Sequence, residues 1–144
     1  MTNQFSPSTQ ANQSEGEYIL VVDDAMPLRK LVGMVLSKAG YKTSEVESAE
    51  LALEKLGAEG PRIKLLITDL SMPNMDGFEL IRQARQLLPQ LKVLVMTGSY
   101  TFEEIQAPLL ALGIGNLLVK PFTHPQLINA VANALREAEP LAEV

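Results

Sequence analysis

The chain has 144 residues, of which 17 are acidic and 12 basic, so its net charge is −5, and 47% of its residues are hydrophobic. This length predicts one compact domain, since domains typically run to about 100–150 residues. The absence of cysteine excludes a disulfide framework, a thiolate metal site and a cysteine nucleophile. The acidic excess argues against a nucleic-acid-binding face, and no apolar run approaches the roughly 20 residues that span a bilayer. Because the N-terminus carries no secretory signal, we expect a cytoplasmic protein without nucleic-acid or membrane partners.

The composition divides the chain into a folded domain and two tails. Residues 1–16 are rich in Asn, Gln, Ser and Thr. Such a stretch cannot bury enough surface to offset its ordering entropy, so we predict a flexible N-terminal tail. Residues 17–137 are predicted to form the folded domain, and residues 138–144 to form a short acidic C-terminal tail.

Four short apolar runs predict strands, and each run is continuous rather than alternating. They are Ile19–Val22, Leu65–Ile67, Val93–Met96 and Leu117–Val119. Continuous runs are typical of strands that are buried on both faces of a parallel sheet. The stretch Tyr41–Val46 is more polar and predicts an edge strand.

The intervals between these runs have helical periodicity. Apolar stripes mark helices within residues 28–39, 49–56 and 127–138. A further helix candidate, Thr101–Leu112, contains Pro108, which we expect to kink or split it. Five strands that alternate with five helices predict a doubly wound (βα)5 α/β sandwich.

Local signals agree with these elements. Gly40 lies where the first helix should end. Thr123 and Gln126 form a capping box at the start of the last helix. After the third strand, Asp76-Gly77 indicates a turn in which Gly77 supplies a positive φ.

Polar side chains follow four of the predicted strands, at the edge of the sheet where such folds carry ligand chemistry. They are Asp23, Asp24, Asp69, Thr97 and Lys120. Clustered carboxylates repel one another, and a hard cation such as Mg²⁺ relieves that repulsion. A hydroxyl and a lysine beside a Mg²⁺-bound carboxylate suit the equatorial oxygens of a transferring phosphoryl group. Spacing alone does not identify the nucleophile, and Asp69 is favoured because it is central.

Four segments together resemble the receiver domain of two-component response regulators. They read VVDDAMPLRKLV (21–32), ITDLSMPNMDGFEL (67–80), VLVMTGS (93–99) and LLVKPF (117–122). The resemblance covers residues 17–137. It implies a CheY-like, flavodoxin-like fold whose five-stranded parallel sheet has the strand order 2-1-3-4-5.

The resemblance implies a metal-assisted phosphorylation site. Asp69 would accept a phosphoryl group from a histidine of a sensor kinase or of a histidine phosphotransfer protein. Asp23 and Asp24 would hold Mg²⁺ or Mn²⁺ together with Asp69, Asp24 directly and Asp23 mainly through water. The backbone carbonyl of Ser71 would be a further metal ligand.

The resemblance also implies roles for residues that follow the last two strands. Lys120 would pair with a phosphoryl oxygen, and Pro121 would carry the cis peptide bond that aims it. Thr97 would hydrogen-bond the phosphoryl group, and Gly98 behind it would be the small residue that leaves access.

The sequence departs from the family on the face of the fourth helix, fifth strand and fifth helix, which the family uses for output. Leu117 stands where the family has a switch Tyr or Phe, and the segment Gly113–Asn116 and Pro108 also depart. Because leucine has no hydroxyl and prefers burial, we hypothesise that a shift of the fourth helix replaces the swing of an aromatic ring. We expect a monomer or a weak homodimer formed through this face.

Three functional hypotheses remain. The first is a stand-alone signalling switch or phosphorelay intermediate, not an enzyme beyond its own phosphorylation and dephosphorylation, which acts on a downstream effector protein. The second is a receiver-like scaffold that is not phosphorylated, which is less favoured because every site residue is present. The third is a phosphatase of the haloacid dehalogenase type; that family carries Asp-x-Asp after its first strand and adds a cap domain, whereas this strand is followed by Asp23-Asp24-Ala25.

Overall fold

The structure is a computed structural model that describes residues 17–73, 75–98 and 102–136, so the tails predicted at 1–16 and 138–144 lie outside the described residues. Within them, five strands alternate with five helices, as predicted. The strands are β1 (Tyr18–Val22), β2 (Lys42–Val46), β3 (Ile63–Asp69), β4 (Lys92–Thr97) and β5 (Leu117–Val119). The helices are α1 (Met26–Lys38), α2 (Ala49–Glu59), α3 (Gly77–Leu87), α4 (Phe102–Ala111) and α5 (His124–Arg136), and a 3₁₀ turn covers Gly60–Arg62.

The strands form one parallel sheet in the order β2-β1-β3-β4-β5, which confirms the predicted flavodoxin-like topology. β1 and β3 are neighbours although β2 lies between them in the chain, so the direction of winding reverses there. In open α/β sheets, ligands bind beyond the carboxyl ends of the strands at such a reversal. Val22 pairs with Thr68 in this part of the sheet, so Asp23 and Asp69 leave it side by side.

Each face of the sheet is covered by its own helices, because successive side chains of a strand point to opposite faces. On one face, Ile19 and Val21 of β1 pack in a cluster with buried residues of α1 and α5. On the other face, Leu20 and Val22 pack in a cluster with buried residues of α2, α3 and α4. Burial on both faces explains why the central strands read as continuous apolar runs.

α4 is one continuous helix, so the expectation that Pro108 splits it is wrong, whereas the expected kink stays a prediction. Proline has no N–H and removes a single hydrogen bond from the helical ladder. The ladder resumes beyond it, since the N–H of Leu112 donates to the carbonyls of Pro108 (3.3 Å) and Leu109 (3.1 Å).

α1 and α5 have 13 residues each, and none of the described helices is long and apolar enough to cross a membrane.

The predicted helix boundaries agree with the hydrogen bonds at the helix ends. The N–H of Thr123 donates to Gln126 Oε1 (2.9 Å) and the N–H of Gln126 donates to Thr123 Oγ1 (3.2 Å), which is the predicted capping box. Gly40 follows α1 with a φ of 102°, a left-handed conformation that glycine adopts without steric cost. The buried residues of α2 are Ala49, Ala52 and Leu56, whereas Leu51 is 40% exposed.

Candidate functional site

Three carboxylates meet at the carboxyl edge of the sheet. Asp23 and Asp24 follow β1, and Asp69 is the last residue of β3. One oxygen from each carboxylate lies within 4.8 Å of the other two. Asp23 and Asp69 are buried, whereas Asp24 is exposed. The three acids predicted from the sequence therefore form a single cluster that opens to solvent at Asp24.

Backbone contacts fix Asp23 within this cluster. Its N–H donates to the carbonyl of Val46 (3.3 Å), and its Oδ1 accepts from the N–H of Ala25 (2.9 Å). Its carbonyl accepts from Nη1 of the buried Arg29 (2.8 Å). The position of Asp23 is thus set by β2, by the turn into α1 and by a side chain of α1.

Lys120 brings a positive charge from the end of β5. Its Nζ lies 2.7 Å from Asp69 Oδ2 and 3.4 Å from Asp23 Oδ2. The N–H of Lys120 donates to the carbonyl of Thr97 (2.8 Å), and the peptide bond between Lys120 and Pro121 is cis. The lysine therefore contacts two of the three acids.

The surroundings of Asp23 and Lys120 raise the pKa values of both groups. Burial raises the pKa of Asp23 above its usual value, and the Asp69 carboxylate adds to the rise, although the Ala25 N–H and the Lys120 ammonium act in the opposite direction. Burial alone would lower the pKa of Lys120, but its hydrogen bond to Asp69 and the negative charges of both carboxylates outweigh burial and raise that pKa. A cation in this cluster would relieve the repulsion that raises the pKa of Asp23.

Thr97 ends β4 with a buried hydroxyl whose Oγ1 has no hydrogen-bond partner in the described part of the chain. A buried hydroxyl without a partner is costly, and in a native protein it calls for an explanation. Gly98 is exposed beside it, and a Cβ there would lie 3.2 Å from Cβ of Lys120. A small residue at position 98 therefore leaves the lysine room to lie along the site.

The loop after β3 contacts the central carboxylate through its backbone. The N–H of Ser71 donates to Asp69 Oδ1 (3.1 Å), and the Ser71 side chain is exposed. The expectation of a positive φ at Gly77 is wrong, since the positive-φ glycines among the described residues are Gly40, Gly60 and Gly113. Gly77 instead begins α3, where a Cβ would lie 2.4 Å from the carbonyl oxygen of Asp69 and 2.6 Å from Cα of Leu70.

Leu117 begins β5 and pairs with Val95. Its side chain is partly buried and packs against the cluster on the α2–α4 face. The leucine that replaces the aromatic residue of the resemblance therefore contributes to the core.

Sequence reasoning missed two polar side chains that hold the site from behind. Arg29 binds the carbonyl of Asp23 (2.8 Å), and Thr68 Oγ1 donates to the carbonyl of Asp69 (2.8 Å). A basic residue in an amphipathic helix normally indicates a solvated position, so Arg29 gave no signal. Thr68 lies between the apolar run Leu65–Ile67 and Asp69, and this polar position next to the central aspartate is the signal that could have identified it.

The side chains present are suited to holding a divalent cation and a phosphoryl group. Carboxylate oxygens are the ligands that Mg²⁺ prefers, and it is commonly bound by one or two of them together with phosphate oxygens. The unpartnered Thr97 hydroxyl and the Lys120 ammonium would supply donors to phosphoryl oxygens.

A separate cavity of about 760 Å³, lined by residues such as Pro61, Leu88 and Lys92, lies at the opposite edge of the sheet and holds none of these groups.

Comparisons with known proteins show which family the sequence is similar to. The sequence profile of the response regulator receiver domain matches residues 19–132. The chemotaxis protein CheY1 of Helicobacter pylori is 36% identical over 113 residues, which are 76% of this chain and 89% of CheY1. The transcriptional regulatory protein GlrR of Escherichia coli is 30% identical over 126 residues, which are 88% of this chain and only 28% of GlrR.

A solved structure extends the similarity to three dimensions. The chemotaxis response regulator CheY4 of Vibrio cholerae superposes with a TM-score of 0.73 at 30% identity. The match covers 82% of this chain and 98% of CheY4. The similarity therefore includes nearly the whole of that structure as well as most of this chain.

Proposed function

Because this chain belongs to the response regulator receiver domain family, we propose that it is a phosphorylatable signalling switch of a two-component system or phosphorelay. Receiver domains act as switches rather than as classical enzymes, and they interact with histidine kinases and downstream effectors. In this proposal Asp69 accepts the phosphoryl group from a phosphohistidine of a sensor kinase or phosphotransfer protein. The predicted cytoplasmic location remains a prediction.

The main support for the proposal is that the Asp69 carboxylate lies beside the Lys120 ammonium and two further carboxylates. Lys120 Nζ lies 2.7 Å from Asp69 Oδ2, and carboxylate oxygens of Asp23 and Asp24 lie within 4.8 Å of an oxygen of Asp69. An isolated aspartate at a strand end could simply cap a helix. A carboxylate held by a lysine and flanked by two other carboxylates is not explained by capping.

The site residues can support transfer of the phosphoryl group from a phosphohistidine to Asp69 by direct displacement. One carboxylate oxygen of Asp69 forms a bond to phosphorus, while the bond from phosphorus to the donor histidine nitrogen breaks and its electron pair remains on the imidazole. Lys120 and the Thr97 hydroxyl would donate to phosphoryl oxygens as charge shifts onto them. Asp23, Asp24, Asp69 and the Ser71 carbonyl would hold Mg²⁺ or Mn²⁺, which supplies charge neutralisation when bound.

The signal would leave through a protein contact on the face of α4, β5 and α5. Leu110 of α4 and Val119 of β5 are 63% and 59% exposed, so both elements present an apolar side chain to solvent. An effector protein, or a second copy of the chain in a weak homodimer, would cover this face. Leu117 is partly buried and packs against the core, which supports a shift of α4 rather than a side-chain swing as the readout.

The test is incubation with a small acyl-phosphate donor such as acetyl phosphate, with and without Mg²⁺, followed by intact mass measurement. The proposal predicts one added phosphoryl group that requires Mg²⁺, is absent in Asp69→Asn and persists in the matched variant Asp76→Asn. Asp76 is a suitable control because its exposed carboxylate caps α3 by accepting from the N–H of Glu79 (2.7 Å), and asparagine caps equally well.

Two other outcomes would identify the competing functions. If no donor gives an adduct, the chain is a receiver-like scaffold and the proposal is wrong. If phosphate esters are hydrolysed continuously without a lasting adduct, the chain is a phosphatase and the proposal is equally wrong.

A further inference from the structure

The main chain of Asp69 is held from the side opposite to its carboxylate. Thr68 is fully buried, and its Oγ1 donates to the carbonyl of Asp69 (2.8 Å). Gly77 lies against the same carbonyl, and its N–H donates to the carbonyl of Leu70 (2.8 Å). The peptide group between Asp69 and Leu70 is therefore fixed by a side chain of β3 and by the first residue of α3.

Thr68 and Asp69 are neighbours in β3, so their side chains leave opposite faces of the sheet. Leu66 and Leu70 belong to the cluster on the α2–α4 face, and Thr68 lies between them on that face. The hydroxyl therefore contacts the backbone of Asp69 rather than its carboxylate. The carboxylate is fixed separately, by Lys120 and by the N–H of Ser71.

Burying the Thr68 hydroxyl completely costs free energy that its contacts must offset. Valine has nearly the shape of threonine, suits a strand buried on both faces, and avoids the cost of burying a polar group. The neighbouring strand residues Leu65, Leu66 and Ile67 are all apolar. Thr68 is thus polar where its neighbours on the same face, Leu66 and Leu70, are apolar, and its hydroxyl makes a single described contact, to the acceptor's own peptide.

We propose that Thr68 is a positioning residue for phosphoryl acceptance, which acts through the Asp69–Leu70 peptide to set the direction of the Asp69 carboxylate. The inference rests on the proposed function, since it requires Asp69 to be the acceptor. In-line attack needs the reacting oxygen within a narrow range of distance and angle, and a misplacement of about 1 Å can lower a rate by about 100-fold. Loss of one fixing contact should permit a smaller displacement.

The test compares Thr68→Val and Thr68→Ser with the wild type, in the initial rate of adduct formation from acetyl phosphate and in urea unfolding. We expect Thr68→Val to react about tenfold more slowly and Thr68→Ser to react within about twofold of the wild type. Serine keeps the hydroxyl but leaves a cavity where the methyl group was, so it should unfold at a lower urea concentration than valine. Rate and stability should therefore rank these two variants in opposite orders, which a merely structural role would not produce.

Thr43→Val is the matched control, because Thr43 lies in β2 and its hydroxyl contacts Ser37 (3.2 Å), away from the site. It should react at the wild-type rate. A rate for Thr68→Val within about twofold of the wild type, or a Thr68→Ser variant as slow as Thr68→Val, would overturn the inference while leaving Asp69 as the acceptor. A wild type that forms no adduct would overturn the proposed function, and the role of Thr68 with it.

Discussion

Among the described residues, Asp23 and Lys120 have pKa values that are raised in the folded protein. Burial raises the pKa of Asp23, so the folded state favours its neutral form more than the unfolded state does. The stability that this group contributes is fully present below its unfolded pKa of about 3.9 and is lost as the pH rises through the higher folded pKa. At neutral pH, where the carboxylate is charged, its burial therefore costs stability.

Asp23→Asn should raise the free energy of unfolding at pH 7, and the gain should shrink as the pH falls to about 3, because the raised pKa keeps wild-type Asp23 mostly protonated there. Urea unfolding in metal-free buffer at both pH values measures this. Asp76→Asn removes an equal charge from an exposed cap and should change stability little. A loss of stability in Asp23→Asn at pH 7 would show that the contact with Lys120 outweighs the burial of the carboxylate.

The principal site residues could be predicted from sequence because each one directly follows or ends a strand. Asp23, Asp69, Thr97 and Lys120 all lie at strand ends, and the carboxyl ends of parallel strands share one edge. No comparable rule places Arg29, because its contact with the Asp23 carbonyl depends on how α1 packs against the sheet. Residues that act through tertiary packing leave little pattern in a single sequence.

At the scale of elements, the start of α3 determines the shape of the loop after Asp69. A Cβ at Gly77 would lie 2.4 Å from the Asp69 carbonyl oxygen and 2.6 Å from Cα of Leu70, and both are backbone atoms that cannot rotate away. The Asp76-Gly77 pair indicated a turn, yet the glycine is needed for close packing of helix against strand. Sequence identified the residue but not its reason, because a turn glycine and a packing glycine look alike.

Gly77→Ala should destabilise the protein by about 2 kcal/mol, since overpacking against backbone outweighs the better helix propensity of alanine. Gly57→Ala is the matched control, because a Cβ in that position of α2 meets no atom within 4 Å. It should stabilise the protein by about 0.5–1 kcal/mol. Urea unfolding of both variants checks the prediction, and equal effects of the two substitutions would contradict the packing account.

Strand and helix bounds also show what sequence could and could not supply. The predicted run Leu65–Ile67 is the apolar centre of β3, which extends from Ile63 to Asp69 because hydrogen bonds to β1 and β4 continue beyond it. Pro108 was expected to kink or split its helix, but the helix is not split, because one missing hydrogen bond does not outweigh the burial of Ile105 and Leu109. Tertiary packing decided both outcomes.

In the proposed readout, α4 is the helix that shifts. Among its described side chains, Ile105 and Leu109 are the buried ones. Beyond its C-terminal end, the carbonyl of Leu112 accepts from Arg85 Nη1 of α3 (3.1 Å). A helix held by few buried side chains is drawn from the less stable part of a structure, where switching elements are found.

Binding of a phosphoryl mimic such as beryllofluoride with Mg²⁺ should therefore change amide exchange in residues 102–116 by about tenfold or more. Residues of α2, on the same face of the sheet but remote from β5, should change by less than about twofold and serve as the internal control. Hydrogen exchange read by mass spectrometry or NMR measures both regions. Unchanged exchange in residues 102–116 would exclude a shift of α4 as the readout.

The central claim, that Asp69 is the phosphoryl acceptor, is tested most directly by locating the modified residue. Borohydride reduces an aspartyl phosphate to homoserine and leaves a free carboxylate unchanged, so peptide mass mapping after reaction with acetyl phosphate identifies the acceptor. We expect homoserine at position 69 alone, formed only when Mg²⁺ is present during phosphorylation. Homoserine at position 23 or 24, or an unmodified Asp69 in protein that carries the added phosphoryl group, would contradict it.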